Sequence, residues 1–513
     1  MNKINVLEYL EESAGRVPHK KAVEDLKSSM TYQELWQASF TCGAALLRYV
    51  RPGQAVAVFM DKSVQTLAVF FGAVYAGGFY CMLDPSQPVE RLQHILSTLQ
   101  PAVLVTDKKM SRRLTGLGFT GPIVNAEDLL ARRVSPADKK ALAVVRSGAL
   151  DIDPLYAIFT SGSTGMPKGV LVSHRSVIDF IGYFTKIMGI GEDDIIGNQA
   201  PFDFDVSVKD IYSAISTGAT LELIPKLYFS FPTKLLDFLD DRKVTSLTWA
   251  VSALCIVTTL NGFSYKIPSS IRRVIFSGEV MPIKHLNAWR KAYPDATFVN
   301  VYGPTEITCN CMYYIVNRSF TDDEELPLGR PFPNERVFLL DENNQPVSPR
   351  EPGKLGEICV SGTAVTLGYL NAPDKTAAAF VQNPLNTRYP EIIYRTGDLA
   401  SYSEEGELFY RTRRDFQVKL FGHRIELSEV ELAANACRDV VRSCCVFDKA
   451  NNRLALFYIG KADKKEITVT MQQKIPHFMI PTFMKELPEF PLTKNGKIDR
   501  KALLALSEAE KKE

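Results

Sequence analysis

Over its first 300 residues the chain alternates short apolar runs with amphipathic stretches, an order that few folds accommodate. The runs read AVAVFM (55–60), AVLVT (102–106), TLELI (220–224), VTSLTWAV (244–251) and RRVIFSG (272–278), and helical periodicity appears over 86–100 and 284–293. Runs that are apolar at successive positions are buried on both faces. The pattern therefore predicts an α/β fold of largely parallel sheets covered by helices. From Arg336 the texture turns to β, in RVFLLDENNQPV, GKLGEICVSG and GELFYRTRRDFQVKLFG, with Asn, Gly and Pro at the breaks. A helix is expected over 427–437, where Ser428, Glu429 and Glu431 suit a first helical turn. Strands CCVFD and RLALFYIG, a second helix and a lysine-rich tail follow. The expectation is a large N-terminal domain (1–414) of two α/β layered subdomains and a β-rich one, then a small α+β domain (415–513).

With 60 basic and 58 acidic residues the formal charge is +2, and both signs are spread along the chain. That argues against a nucleic-acid binder held by phosphate electrostatics. Hydrophobic residues at 46% and charged residues at 23% argue against intrinsic disorder. The N-terminus lacks the apolar core of a signal peptide, and no apolar stretch reaches the roughly 20 residues of a membrane span. A cytoplasmic protein is expected. The nine Cys include no C-x-x-C and read as small buried hydrophobes, and the six His offer no zinc-site spacing.

The chemistry is concentrated in residues 156–169, YAIFTSGSTGMPKG. Its Gly and hydroxyl residues lie between two strand-like runs and can turn several N–H and O–H groups onto one anion, with Lys168 adding positive charge. The loop suits polyphosphate. It is not a Walker A loop, because the spacing fails and a strand rather than a helix follows.

TSGSTGMPKG resembles the phosphate-loop signature of the adenylate-forming superfamily of acyl-CoA synthetases, amino-acid adenylation domains and luciferases. Further motifs of the amino-acid branch follow in order: TYQEL, YAGGFYCMLDP, FDVSV, NVYGPTE, GKLGEICVSG, YRTGD, RRDFQVKLFGHRIELSEVE and PLTKNGKIDR. The resemblance covers essentially the whole chain. It implies ATP and Mg²⁺ as cofactors, with Thr160, Ser161, Gly162, Ser163, Thr164, Gly165 and Lys168 around the phosphates. It makes Glu306 the Mg²⁺ ligand together with Thr160, Tyr302 the aromatic under adenine beside Gly303 and Thr305, and Asp398 the ribose-binding carboxylate near Arg413. A carboxylate on a hard cation and a positive charge opposite two reacting anions are the expected chemistry. Lys497 resembles the catalytic lysine, carried by a mobile C-terminal domain that rotates about Asp415; Gly422 resembles the glycine that lets a pantetheine arm pass. Thr412-Arg413 stands where the family usually reads Gly-Arg.

Asp205 in FDVSV resembles the aspartate that holds a substrate α-ammonium, which favours an α-amino acid. The surrounding string is similar to ligases that load D-alanine onto a carrier protein. By the same resemblance the pocket is lined by Val206, Lys209, Trp249, Ile275, Ser277, Val301, Cys309 and Asn310. Ser277 and Lys209 depart from the D-alanine ligases, which tend to carry a cysteine and an apolar residue there. Lys209 either faces the pocket, where an acidic side chain is its natural partner, or points to solvent. The expected activity is adenylation of an amino acid and transfer to the phosphopantetheine thiol of a separate carrier protein, as in a stand-alone nonribosomal-peptide-type enzyme. The competing readings are an acyl-CoA ligase using free coenzyme A and a catalytically silent nucleotide-binding relative.

Overall fold

The computed structural model describes residues 3–162, 166–414, 417–492 and 498–510. Two large sheets form the N-terminal part. One is six-stranded, ordered Ile123–Asn125, Val103–Thr106, Ala55–Phe59, Phe79–Met82, Pro154–Thr160, Lys168–Ser173, and parallel except for its last pair. The other is nine-stranded, with a parallel centre built from Lys21–Glu24, Thr220–Leu223, Ile195–Asn198, Ser246–Ala250, Arg273–Ser277 and Thr297–Tyr302. Every residue of Ala55–Phe59 and of Thr220–Leu223 is buried, as strands covered on both faces must be.

Local sequence sets the helix boundaries. Thr31 and Glu34 form a reciprocal capping box that starts helix Tyr32–Leu46, satisfying two backbone donors at once. Helix Val64–Tyr75 begins at Ser63, whose hydroxyl accepts from Thr66 N. It is buried almost all round because it packs beneath the sheet rather than on its rim.

After residue 330 the chain forms a third, antiparallel sheet, in which Ile392–Tyr402 pairs with Gly356–Gly362, Phe380–Gln382 and Leu408–Arg413. A two-stranded hairpin follows, Gln417–Leu420 with His423–Glu426, then the three-stranded sheet Val440–Asp448, Arg453–Gly460, Phe483–Glu486. These last elements share a hydrophobic cluster of their own, including Leu420, Ile425, Val430, Leu456 and Met471. The expected helix over 427–437 is Leu427–Asn435. Glu429 stands in its first turn as expected, and there it is 2% exposed and forms an ion pair with Arg91 of helix Val89–Leu99.

Candidate active site

The proposed hinge Asp415 and the proposed catalytic Lys497 lie outside the described residues, as do Ser163, Thr164 and Gly165 of the phosphate loop. The rest of the expected site is described. Thr160 ends one strand of the antiparallel pair and stands opposite Lys168 on the next, so the strand pairing alone brings the two ends of the loop together. The Ser161 hydroxyl donates to Arg424 O at 2.7 Å. The Thr160 hydroxyl is buried without a hydrogen-bond partner. An orphaned hydroxyl beside a phosphate-binding loop is a hard oxygen donor held ready for a ligand.

Glu306 is fully buried. Its Oε1 accepts from the Tyr369 hydroxyl at 2.7 Å and its Oε2 lies 2.7 Å from Arg424 Nη1. Burial alone would raise this carboxyl, but Arg424 and Lys168 outweigh it and hold Glu306 at about 2. Asp398 is engaged on both oxygens, Oδ2 by the Tyr302 hydroxyl at 2.5 Å and Oδ1 by Arg413 Nη1 at 2.8 Å. Arg413 also donates to Thr396 O at 3.1 Å.

One cavity of about 120 Å³ joins part of this set to the proposed substrate residues: Thr160, Ser161, Asp398 and Arg413 share its walls with Asp205 and Lys209, while Glu306, Tyr302 and Lys168 do not line it. Val206, Ser277, Cys309 and Asn310 of the expected amino-acid pocket and Gly303 and Thr305 of the expected nucleotide site complete it. Asp205, Val206 and Lys209 reach it together because they sit at the start of helix Val206–Thr217, where positions four apart share a face. On the opposite wall Thr308 and Cys309 adopt positive φ, at 39° and 74°. This backbone is uncommon for non-glycine residues and is held here by Thr308 Oγ1 donating to Ala364 O. A second cavity of about 1180 Å³, lined in part by Tyr302, Val301, Glu279 and Phe421, adjoins the first across Gly278, Gly303, Arg413 and Lys419.

Two residues assigned to the pocket by resemblance are not brought into the small cavity, and a third reaches only its neighbour. Trp249 pairs in register with Phe276, and both join the core on the face of the sheet opposite Ile275 and Thr248. The Trp249 indole is fully buried, donating to Gly197 O at 2.9 Å and meeting Phe229 edge-on. A one-residue step along a strand moves a side chain to the other face. Ile275 shares the face of Ser277 but is buried in the core beneath it. Val301 lines the larger cavity.

The residue that sequence reasoning missed is Arg424. Its hairpin alternates: Gln417, Lys419, Arg424 and Glu426 occupy one face, while Val418, Leu420 and Ile425 pack into the small hydrophobic cluster. The period-2 pattern in QVKL and HRIE carries that signal. The turn between the strands places Phe421 at φ 52° and Gly422 at φ 77°, both positive as a tight two-residue hairpin requires. Gly422 lines the small cavity, and a Cβ there would come within 2.9 Å of Ala250 Cβ.

A parallel, helix-covered sheet arrangement with a cleft that sets Asp203, Asp205 and Asp398 among five Lys and Arg side chains fits an α/β enzyme that handles anionic substrates such as nucleotides. The family described as AMP-binding enzyme matches residues 10–370, and the chain belongs to that adenylate-forming family. It is 32% identical over 510 residues to zwittermicin A synthase ZmaJ of Bacillus cereus, covering 97% of this chain and 94% of that protein. It is 30% identical to tyrocidine synthase 3 of Brevibacillus parabrevis, but spans only 8% of that protein's length. The fold matches the Vibrio cholerae adenylation domain AlmE, solved with glycyl-adenosine-5'-phosphate, at TM-score 0.85, with 22% identity and 99% of each chain covered. It also matches NpsA-ThdA, an artificially fused adenylation–PCP di-domain from Klebsiella oxytoca, at TM-score 0.81, with 22% identity over 95% of this chain and 94% of that one. Among the described residues, no helix is long and apolar enough to cross a membrane.

Proposed function

We propose that the chain activates an α-amino acid with ATP, forming an aminoacyl adenylate and pyrophosphate, and then passes the aminoacyl group to the pantetheine thiol of a carrier protein in trans. The observation that carries this reading is the shared cavity: Asp205, suited to an ammonium, faces the same space as Thr160, Ser161, Asp398 and Arg413. In the first step a substrate carboxylate oxygen attacks the α-phosphorus and the bond to the bridging oxygen breaks, so pyrophosphate leaves with the electron pair. In the second the thiol sulfur, having lost its proton, attacks the acyl carbon and AMP leaves. Lys168 and Arg413 supply positive charge where anions meet, and Lys497 is assigned the bridging role between carboxylate and α-phosphate by family resemblance.

Thr160 and Glu306 offer hard oxygen donors that fit Mg²⁺. The ion would neutralise phosphate charge when bound with ATP, and Glu306, paired with Arg424 in this structure, would be one of the residues holding it. Support for the carrier comes from Gly422 at the junction of hairpin and cavity, where a thin pantetheine arm needs close backbone approach. The similarity to D-alanine ligases stops at Lys209, which lines the amino-acid side of the cavity. The test is thioester formation with radiolabelled amino acids, offering a phosphopantetheinylated carrier protein and free coenzyme A in parallel. Loading of the carrier is expected; label on coenzyme A alone would replace this reading with acyl-CoA ligation.

A further inference from the structure

Lys209 lies one helical turn beyond Asp205 on the same face of helix Val206–Thr217, and both side chains line the small cavity. It is 1% exposed. Its Nζ donates to Asn310 Oδ1 at 2.7 Å and to Ser277 Oγ at 3.5 Å, both neutral groups, and it forms no ion pair among the described residues. Burial pulls the Lys209 ammonium below its ordinary value, against the nearby Cys309, Asp205 and Asp210. Burial likewise pushes the Asp205 carboxyl up, with Lys209 the foremost group opposing it.

Within the protein alone, then, Asp205 and Lys209 balance each other across the cavity. An α-amino acid disturbs that balance. Its ammonium takes Asp205 and its α-carboxylate is consumed by adenylation, leaving Lys209 hydrogen-bonded to neutral groups, with Asp210 near it but not in ion-pair contact. A buried charge without a counter-charge is strongly unfavourable, whereas a well-hydrogen-bonded one is tolerated. Lys209 lines the cavity beside Ser277 and Asn310, and its hydrogen bonds to their Oγ and Oδ1 leave one of its three N–H donors for an anion.

We propose that the amino acid activated here carries an anionic side chain, whose carboxylate is received by the Lys209 ammonium beside Ser277 and Asn310. This inference rests on the reading of Asp205 as the α-ammonium site. It makes Lys209 a specificity-determining residue of the reaction proposed above, contacting the substrate side chain rather than the reacting atoms.

The experiment is amino-acid-dependent ATP–pyrophosphate exchange by the full chain with aspartate, glutamate, their amides asparagine and glutamine, alanine and glycine. The better of the two acids should exceed its own amide on the order of 100-fold in kcat/KM, because the amide leaves the ammonium without its partner. In Lys209→Met the ratio of acid to amide kcat/KM should fall from on the order of 100 toward one, whatever the loss in either activity. A wild-type enzyme that prefers neutral amino acids would overturn the proposal and leave the amino-acid reading intact. So would a Lys209→Met variant whose acid and amide activities fall by the same factor. Exchange with no amino acid would overturn both. Should Lys209→Met not fold, the wild-type comparison of each acid with its amide decides the question alone.

Discussion

The Arg424 guanidinium lies 2.7 Å from the Glu306 carboxylate, joining the hairpin that follows residue 416 to the buried carboxylate of the YGPTE motif. Glu306 is also the carboxylate proposed to hold Mg²⁺, so guanidinium and metal would compete for the one group. Ser161 ties the other side of the contact by donating to Arg424 O. On the proposed function, docking of the hairpin and binding of the metal would be coupled with opposite sign.

Removing the guanidinium should relieve that competition. In Arg424→Gln the Mg²⁺ concentration giving half-maximal pyrophosphate exchange should fall on the order of fivefold. An unchanged or higher Mg²⁺ requirement would show that the two do not compete for Glu306.

Glu306 also makes a pH prediction. Its carboxyl is held at about 2, below its ordinary 4.5. A depressed carboxyl stabilises the fold above the unfolded value and loses that contribution as pH falls toward the folded value. The stability advantage of wild type over Glu306→Gln should be full above pH 4.5 and shrink between 4.5 and 2. Urea midpoints of the two proteins across that range measure it, and a gap that stays constant would mean Arg424 and Lys168 do not hold the charge.

On the proposed function, substitution of Gly422 should affect the two half-reactions differently. Alanine there meets positive φ, costing about 1–2 kcal/mol, and its Cβ meets Ala250 only while the hairpin is docked. Gly422→Ala should slow carrier loading about 10-fold, the equivalent of about 1.4 kcal/mol, with a smaller effect on pyrophosphate exchange. Equal losses in both steps would remove the special role of this glycine.

A structural prediction stands apart from the chemistry. Thr31→Ala deletes one half of the capping box with Glu34 and should cost about 1 kcal/mol of stability, with kcat unchanged. Chemical denaturation measures the loss, and a neutral variant would show the cap to be idle.

The sheets were legible in the sequence because their strands are apolar on both faces, as residues 55–59 illustrate. The phosphate loop was legible because its hydroxyl and glycine content has few other uses. Trp249 was misplaced because motif alignment counts positions along a strand but does not say which face each occupies; its register with Phe276 decides that. Arg91 and Glu429 stand 338 positions apart, and nothing local in either segment names the other. Arg424 was within reach, since the polar and apolar alternation of its hairpin marks a face turned to the cleft.

The central claim, activation of an α-amino acid held by Asp205, is tested most directly by pyrophosphate exchange in wild type and Asp205→Asn. The account predicts exchange that depends on an added α-amino acid, and a fall on the order of 100-fold in kcat/KM in the variant when the carboxylate that pairs the ammonium is removed. Exchange supported by simple carboxylic acids but by no amino acid, or an Asp205→Asn variant as active as wild type, would contradict it.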